Sequence, residues 1–364
     1  MAKVLLVTND FPPTVGGIQS YLRDFVDQLD PSDVVVFAST QDEEAAREYD
    51  ASVPYTVVRW PRKMMLPTPS TARKMVQLIK AYGIEVVWFG AAAPLALMAS
   101  AARKAGAHRV VASTHGHEVG WSMLPGARQC LRRIGNTCDV VTYISEYTLR
   151  RFRSAFGSHP RYVRLPSGVD TQLFTPLLPK AEGKTVVCMS RLVPRKGQDS
   201  LIAAMPAVLL QHPDARLVLV GGGSYEKALR RRAADLGHSV QFLGRLPFEQ
   251  MLQVLREADV FAMPARTRGW GLDVEGLGIV YLEAQACGIP VIAGNSGGAP
   301  ETVTSETGIV VNGRDQAELE SVLVTLLDDA ALRHQLGSAG RQHVETCWTW
   351  RIMGARLREV LYTG

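Results

Sequence analysis

The chain has 364 residues, 46% of them hydrophobic, and a formal net charge of +5 at pH 7. That length holds two cores of ordinary size and is too long for one, and the apolar content excludes a disordered chain. Five cysteines (Cys130, Cys138, Cys188, Cys287 and Cys347) are odd in number, widely spread and without a C-x-x-C pair, so they indicate neither a disulfide framework nor a zinc site and fit a reducing compartment.

The opening run, Met1 to Thr8, has one charge before a strand-length apolar stretch, too short for a signal-peptide core, so secretion is not expected. Val4 to Val7 is the first predicted strand. A loop follows from Asn9 to Gly17, then Ile18, Leu22, Phe25, Val26 and Leu29 at helical spacing. Pro12-Pro13-Thr-Val-Gly16-Gly17 fills that loop. Gly16 and Gly17 let backbone approach a ligand closely, and the helix start behind them offers free N–H groups to an anion. A tight turn that binds nothing has the same composition, and no G-x-G-x-x-G is present.

Further strands are predicted at Val34 to Ala38, Val86 to Phe89, Arg109 to Ser113 and Val140 to Ile144. Val86 to Ala102 is weakly polar but short for a membrane span and contains Gly90 and Pro94, so it reads as strand, turn and helix. Between residues 59 and 165 stand 17 basic and 4 acidic side chains, a bias that calls for a polyanionic partner. Two segments there, 59–66 and 121–134, interleave Trp, Leu and Met with Lys and Arg. Ala127, Leu131 and Ile134 share one helical face, which suits either an anionic lipid interface or packing inside the domain. No motif for RNA or DNA accompanies the charge, so nucleic acid is not an expected partner.

Thr114-His115-Gly116-His117-Glu118 follows the strand ending at Ser113. Its spacing is not that of H-E-x-x-H, so no metal site is expected. A polar group at a strand end suits contact with a sugar or with a developing oxocarbenium ion, and His115 is the candidate, with His117 as the alternative.

From Leu165 to Lys184 the chain is rich in Pro and turn residues, the best linker. A second βα series starts at Thr185 to Met189 and continues through Leu217 to Val220, Val240 to Leu243, Val260 to Met263, Val291 to Ala293 and Ile309 to Val311. Ser190-Arg191-Leu-Val-Pro-Arg195-Lys196-Gly197 lies between its first strand and a helix. Three cations beside a helix N-terminus suit a diphosphate, neutralised without a metal; a solvated basic loop is the plain alternative.

Glu275-Gly276-Leu277-Gly278-Ile279-Val-Tyr-Leu-Glu283 pairs two glutamates behind the loop bearing Gly269 and Gly271. In a continuous helix the two backbones would be about 12 Å apart, wider than the roughly 5–10 Å of paired glycosidase carboxylates. The spacing suits two grips on an extended donor: Glu275, in the loop, on sugar hydroxyls and Glu283, inside the helix, on a ribose diol. Gly276 and Gly278 leave backbone N–H groups free for sugar and phosphates.

The fold expectation is α/β: two Rossmann-like domains with parallel sheets facing each other across a cleft. The expected domains are 1–165 and 166–345, and the resemblance given next implies that the first faces acceptor and membrane and the second binds the nucleotide sugar. The segment 346–364 forms a terminal helix, and its return onto the first domain is suggested by resemblance.

The order of these motifs resembles that of the retaining family-four glycosyltransferases, whose two-domain fold is called GT-B, essentially from end to end. Thr8-Asn-Asp-Phe-Pro-Pro13, Gly16-Gly17-Ile-Gln-Ser20, His115 to Glu118, Ser190 to Gly197 and Met263 through Glu283 resemble most the actinobacterial mannosyltransferases of the PimB type. The resemblance implies a GDP-mannose donor, a phosphatidylinositol monomannoside acceptor, the dimannoside as product, and work on the cytoplasmic face of the plasma membrane. It selects Arg191 and Lys196 over Arg195 for the diphosphate. Catalytic residues are then His115, Arg191, Lys196 and Glu275, and the donor site adds Gly16, Gly17, Gly276, Leu277, Gly278, Ile279 and Glu283. No cofactor is required. Trp270 departs from the pattern, where a smaller residue is expected. A same-fold transferase using a UDP-glucose type donor, a nucleotide-sugar epimerase and a regulatory binding protein are the competing readings.

Overall fold

A computed structural model describes residues 2–179 and 182–363. The chain forms two units, Met1–Ser167 with Trp350–Gly364, and Gly168–Thr349. The first runs β1 (Val4–Thr8), α1 (Gly17–Val26), β2 (Val34–Ser39), α2 (Glu43–Ser52), β3 (Thr56–Trp60), α3 (Pro69–Tyr82), β4 (Val86–Phe89), α4 (Ala99–Lys104), β5 (Arg109–Ser113), α5 (Glu118–Met123), α6 (Pro125–Gly135), β6 (Val140–Tyr143), α7 (Glu146–Phe156) and β7 (Arg161–Arg164). The second runs β8 (Thr185–Met189), α8 (Gln198–Gln211), β9 (Arg216–Val220), α9 (Glu226–Arg232), β10 (Val240–Gly244), α10 (Phe248–Glu257), β11 (Val260–Met263), α11 (Ile279–Ala286), β12 (Val291–Gly294), β13 (Gly308–Val311), α12 (Gln316–Asp328) and α13 (Ala330–Cys347). Then α14 (Trp350–Tyr362) returns to the first unit.

Each unit has one parallel sheet, ordered β3-β2-β1-β4-β5-β6-β7 and β10-β9-β8-β11-β12-β13. Parallel strands covered on both faces read as unbroken apolar runs, which is why β1, β4 and β11 are buried at every residue. Each buried Val or Leu contributes about 1.5–3 kcal/mol of transfer free energy before the entropy of ordering the chain is subtracted. Two strands, β3 and β7, were absent from the expectation. Both lie at sheet edges, where Arg59, Arg161 and Arg164 interrupt the apolar run.

Local signals set the helix ends. Thr68 accepts the Thr71 N–H, Pro69 fills the first helical position and Gly83 closes α3 at φ 63°. Ser145 caps α7 by accepting the Thr148 N–H. Helix α14 is fixed on the first unit by an edge contact of Trp350 with Phe25 at 5.1 Å, by Arg109 donating to Val360 O at 2.7 Å and by Arg358 donating to Gln28 O at 2.8 Å.

In an open parallel sheet, ligands bind outside the carboxyl ends of the strands where the strand order reverses. Those points are β1/β4 in the first unit and β8/β11 in the second. The loops after these four strands are Asn9 onward, Gly90 onward, Ser190 onward and Pro264 onward.

Candidate functional site

At the β8/β11 switch point the two loops interlock. After β8 the chain makes a 3₁₀ turn, Pro194–Lys196, and enters α8 through Gly197 at φ 80°. A Cβ on Gly197 would press on Pro264 O of the other loop, so only glycine permits the approach. The turn places Lys196 Nζ 2.6 Å from Glu275 Oε2, both side chains 10% exposed. Glu275 is pinned by its own backbone: its N–H donates to Ser296 Oγ at 3.3 Å and its carbonyl accepts the Gly298 N–H at 2.9 Å.

The other two cations differ from Lys196 and from each other. Arg195 is half-buried, donating to Val274 O at 3.2 Å and lying 3.4 Å from Asp273 Oδ1, so it fastens the loop. Arg191 is exposed, and its guanidinium has no protein partner among the described residues. Buried Gln198 supports the Arg191 backbone by donating to Ser190 Oγ at 2.8 Å and Arg191 O at 3.0 Å. One cation is thus held and one is free to meet an anion.

Glu275 lies in the loop, as expected, and the helix that bears Glu283 begins only at Ile279. Gly278 stands at φ 86°, and this left-handed cap ends the possibility of a continuous helix, so the 12 Å helical spacing does not apply. A Cβ on Gly278 would meet the Tyr281 ring at 2.5 Å. No side chain caps α11, leaving its first N–H groups available to an anion, while Leu277 is buried beneath the turn and Gly276 lies in the loop before it. Glu283 sits within α11, and burial pushes its carboxyl up to about 7.

At the β1/β4 switch point of the first unit, Gly16 caps α1 in extended backbone and no side chain caps it, while Gly17 opens the helix with free space around its Cα. The loop before them is braced by Arg59 donating to Pro12 O at 2.7 Å, and Asn9 pairs with both backbone groups of Met65. Asp10 accepts from Gln19 Nε2 at 2.9 Å; burial raises its pKa and neighbouring His117 opposes the rise.

His115, past the end of β5, has its Nε2 2.7 Å from Gly90 O and its ring edge-on to Tyr21 at 4.8 Å. A carbonyl only accepts, so Nε2 carries the hydrogen and Nδ1 is left as an acceptor. Burial pushes the His115 pKa down to about 4, so the ring is neutral near pH 7. Glu118, buried, accepts the His115 and Gly116 N–H groups at 3.1 Å each and shapes this turn. His117 is exposed. No group of His, Cys, Asp and Glu able to hold a metal ion occurs among the described residues.

The basic and apolar segments need correction. Leu131 and Ile134, the expected lipid-facing stripe of α6, are wholly buried in the core of the first unit, as is Met65, and Trp60 and Trp121 pack against that core. The 3.6 spacing recorded an inward face. The exposed apolar residues of these segments are Met64, Leu66, Met123 and Leu124, each at least half exposed. Arg128 and Arg132 hold α7 through Ser154. No helix among the described residues is long and apolar enough to cross a membrane.

Three contributors escaped the sequence reading. Gly221 and Gly223 pass under the Ser190 to Leu192 backbone, where a Cβ would strike Ser190 O or Leu192 O. Ser296 to Gly298 hold Glu275. Asp199 receives Arg266 at 2.8 and 2.6 Å while the Arg266 N–H donates to Arg195 O at 2.8 Å. The run of three glycines ending β9 was a usable signal; the Asp199–Arg266 pair, 67 residues apart, carried none.

Residues 15–173 match the model described as Glycosyltransferase Family 4, and residues 170–343 that described as Glycosyl transferases group 1. A Corynebacterium glutamicum protein described as GDP-mannose-dependent monoacylated alpha-(1-6)-phosphatidylinositol monomannoside mannosyltransferase is 62% identical, over 99% of this chain and 97% of that one. A Mycolicibacterium smegmatis protein described as GDP-mannose-dependent alpha-(1-6)-phosphatidylinositol monomannoside mannosyltransferase is 54% identical over 98% of both. Among solved structures, Anabaena Alr3699/HepE in complex with UDP superposes with a TM-score of 0.80 at 22% identity over 98% of both chains, a likeness of fold.

Proposed function

The chain belongs to the group 1 and family 4 glycosyltransferases, and on that premise we propose that it moves mannose from GDP-mannose onto a phosphatidylinositol monomannoside, giving the dimannoside with retention at the anomeric carbon. Carrying the reading is the meeting of Lys196, Glu275 and the uncapped start of α11 at the β8/β11 switch point, with Arg191 free beside them. Relatives at 62% and 54% identity with that described activity support the donor and the acceptor, and they do not favour a UDP-glucose transferase or an epimerase.

The diphosphate lies along the α11 N-terminus, gripped by Arg191 and Lys196, with Gly276, Leu277, Gly278 and Ile279 supplying backbone. Glu275 takes sugar hydroxyls and Glu283 the ribose diol. His115 offers Nδ1 to a carbohydrate hydroxyl, and Gly16 and Gly17 admit a ligand against α1. In the reaction the bond from the anomeric carbon to the β-phosphate oxygen breaks, the acceptor oxygen bonds to that carbon on the same face, and the acceptor's proton passes to the departing phosphate. Arg191 and Lys196 stabilise the charge growing there, an electrostatic contribution that needs no cofactor or metal. Met64, Leu66, Met123 and Leu124, with Arg62 and Lys63, set the enzyme peripherally on the anionic cytoplasmic face of the membrane.

Incubation with several labelled nucleotide sugars, with and without the monomannoside lipid, tests this. Label passing from GDP-mannose into a dimannoside is expected; label entering from another donor instead, or an isomerised donor with no lipid present, refutes it. Flotation with vesicles of acidic phospholipid tests the surface, and equal binding by wild type and a Met64, Leu66, Met123 and Leu124 to Ser variant removes those residues from the role.

A further inference from the structure

Between β11 and Glu275 the chain makes a tight hairpin with an unusual tip. The Arg268 N–H donates to Asp273 O at 2.9 Å, the Asp273 N–H donates back to Arg268 O at 3.2 Å, and the Gly271 N–H donates to Arg268 O at 3.1 Å. Gly269, Trp270 and Gly271 follow one another with φ values of 55°, 57° and 86°. Two are glycines, for which this region is open. Trp270 is the sole non-glycine with positive φ among the described residues.

For a bulky L residue this region is disfavoured, because the Cβ crowds the following carbonyl oxygen, and the indole recovers nothing by packing. Trp270 is 97% exposed, although an aromatic ring of this kind ordinarily buries roughly 150–250 Å². Strain of this sort persists where the surrounding structure fixes the backbone, and it clusters at functional sites.

The feet of the hairpin are the donor cradle itself. Arg195 grips Asp273 and Val274 O on one side. On the other, Arg314 donates to Thr267 O at 2.7 Å, and Thr267 Oγ1 lies 3.2 Å from Ser296 Oγ, the group that receives the Glu275 N–H. The root is therefore fixed to the residues around Glu275 while the tip projects into solvent. The same hairpin bears Leu272, 55% exposed, and Arg268, exposed and without an ion pair among the described residues.

We propose that the hairpin Arg268–Asp273 recognises the headgroup of the acceptor glycophospholipid, with the face of Trp270 stacked on its hexose ring. The inference rests on the proposed function and assigns a role to an element which that reading leaves unused. One exposed hairpin carries a cation, an aromatic ring and an aliphatic side chain, and the acceptor has three parts of matching chemistry: a phosphodiester, a hexose whose C–H face is apolar, and an acyl chain. Indole stacking on the sugar makes Trp270 a specificity residue for the acceptor, not the donor. Anchoring of the same indole in the lipid interface is the outcome the test must separate.

The experiment compares wild type with W270A and W270F on two acceptors, the monomannoside lipid in vesicles and its deacylated, water-soluble headgroup. W270A is expected to raise KM for both by roughly tenfold, the scale of ring stacking on an aromatic side chain, with KM for GDP-mannose unchanged and W270F recovering most of the loss. A raised KM for vesicles with an unchanged KM for the soluble headgroup overturns stacking in favour of an interfacial anchor. An equal rise in KM for GDP-mannose overturns it in favour of a donor contact.

If wild type transfers mannose to neither acceptor, the proposed function fails and the hairpin is judged by binding. Methyl α-mannoside is titrated while tryptophan emission is followed in wild type and W270F. A saturable change confined to wild type upholds stacking, and identical curves overturn it. Circular dichroism and Tm confirm that each variant is folded.

Discussion

Lys196 and Glu275, 79 positions apart in sequence, form a buried ion pair at 2.6 Å in which both partners belong to the site proposed to hold the donor. Breaking a buried pair by removing one member strands the other charge, at a cost of about 3–5 kcal/mol. K196A should therefore lose both stability and turnover. Turnover should fall the further, by at least about a hundredfold, as a lost electrostatic contact to the transition state predicts. The double variant K196A with E275Q should recover much of the lost Tm and none of the activity. Activity returning together with Tm would show that Lys196 acts on the fold alone.

Arg191 presents the opposite case. Its guanidinium is exposed and unpartnered among the described residues, so R191A should leave stability within about 0.5 kcal/mol of wild type. Transfer from GDP-mannose should still fall by about a hundredfold or more, because a bidentate grip on phosphate disappears. R191K should recover only part of it, since an ammonium keeps the charge without the planar fork. Steady-state kinetics beside thermal melts decides, and R191A at near-normal turnover removes Arg191 from the site.

His115 ties its own protonation to acid stability. Its pKa is about 4 in the folded chain against 6.5 as the ordinary value, with burial the largest cause. As pH falls from about 6.5 the unfolded chain takes up this proton first, so the folded state loses stability progressively down to about pH 4 and holds the full contribution above 6.5. H115Q lacks this titration, so its Tm should fall less than that of wild type between pH 7 and pH 5. Parallel Tm curves for the two proteins would contradict the assignment.

How far the sequence could be read depends on what each feature required. Apolar strand runs and the glycines near helix starts are local signals, and they located both parallel sheets and the loops at their carboxyl ends. Edge strands β3 and β7 lacked an apolar run. The α6 stripe of Leu131 and Ile134 was legible as a face, but spacing could not say whether it met lipid or the core. Lys196 and Glu275 were each identified, yet their contact is a tertiary fact. It depends on Gly197 and Pro264 approaching through backbone, which no local pattern encodes. Glu275 in the loop and Glu283 in the helix stand as expected; what spacing did not show is that the left-handed Gly278 postpones α11 to Ile279.

That postponed helix carries Glu283, whose carboxyl burial raises to about 7 against 4.5 as the ordinary value. In the empty protein near neutral pH it is partly protonated. Hydroxyls of a ribose diol donate to a carboxylate and favour its charged form, so a bound nucleotide should draw the pKa of Glu283 down and release a proton. By linkage, affinity for GDP then rises as pH increases from about 5 toward about 7 and levels off above the pKa of the empty site. The folded state shows the reverse slope: a raised carboxyl contributes stability that is complete below about 4.5 and is lost as pH climbs through about 7. Titration calorimetry of GDP binding at several pH values, in buffers of different ionisation enthalpy, should detect the released proton in wild type. In E283Q, affinity should be lower and this release absent. If E283Q keeps the proton release of wild type, Glu283 is not the group that titrates, and its proposed hold on the ribose loses this support.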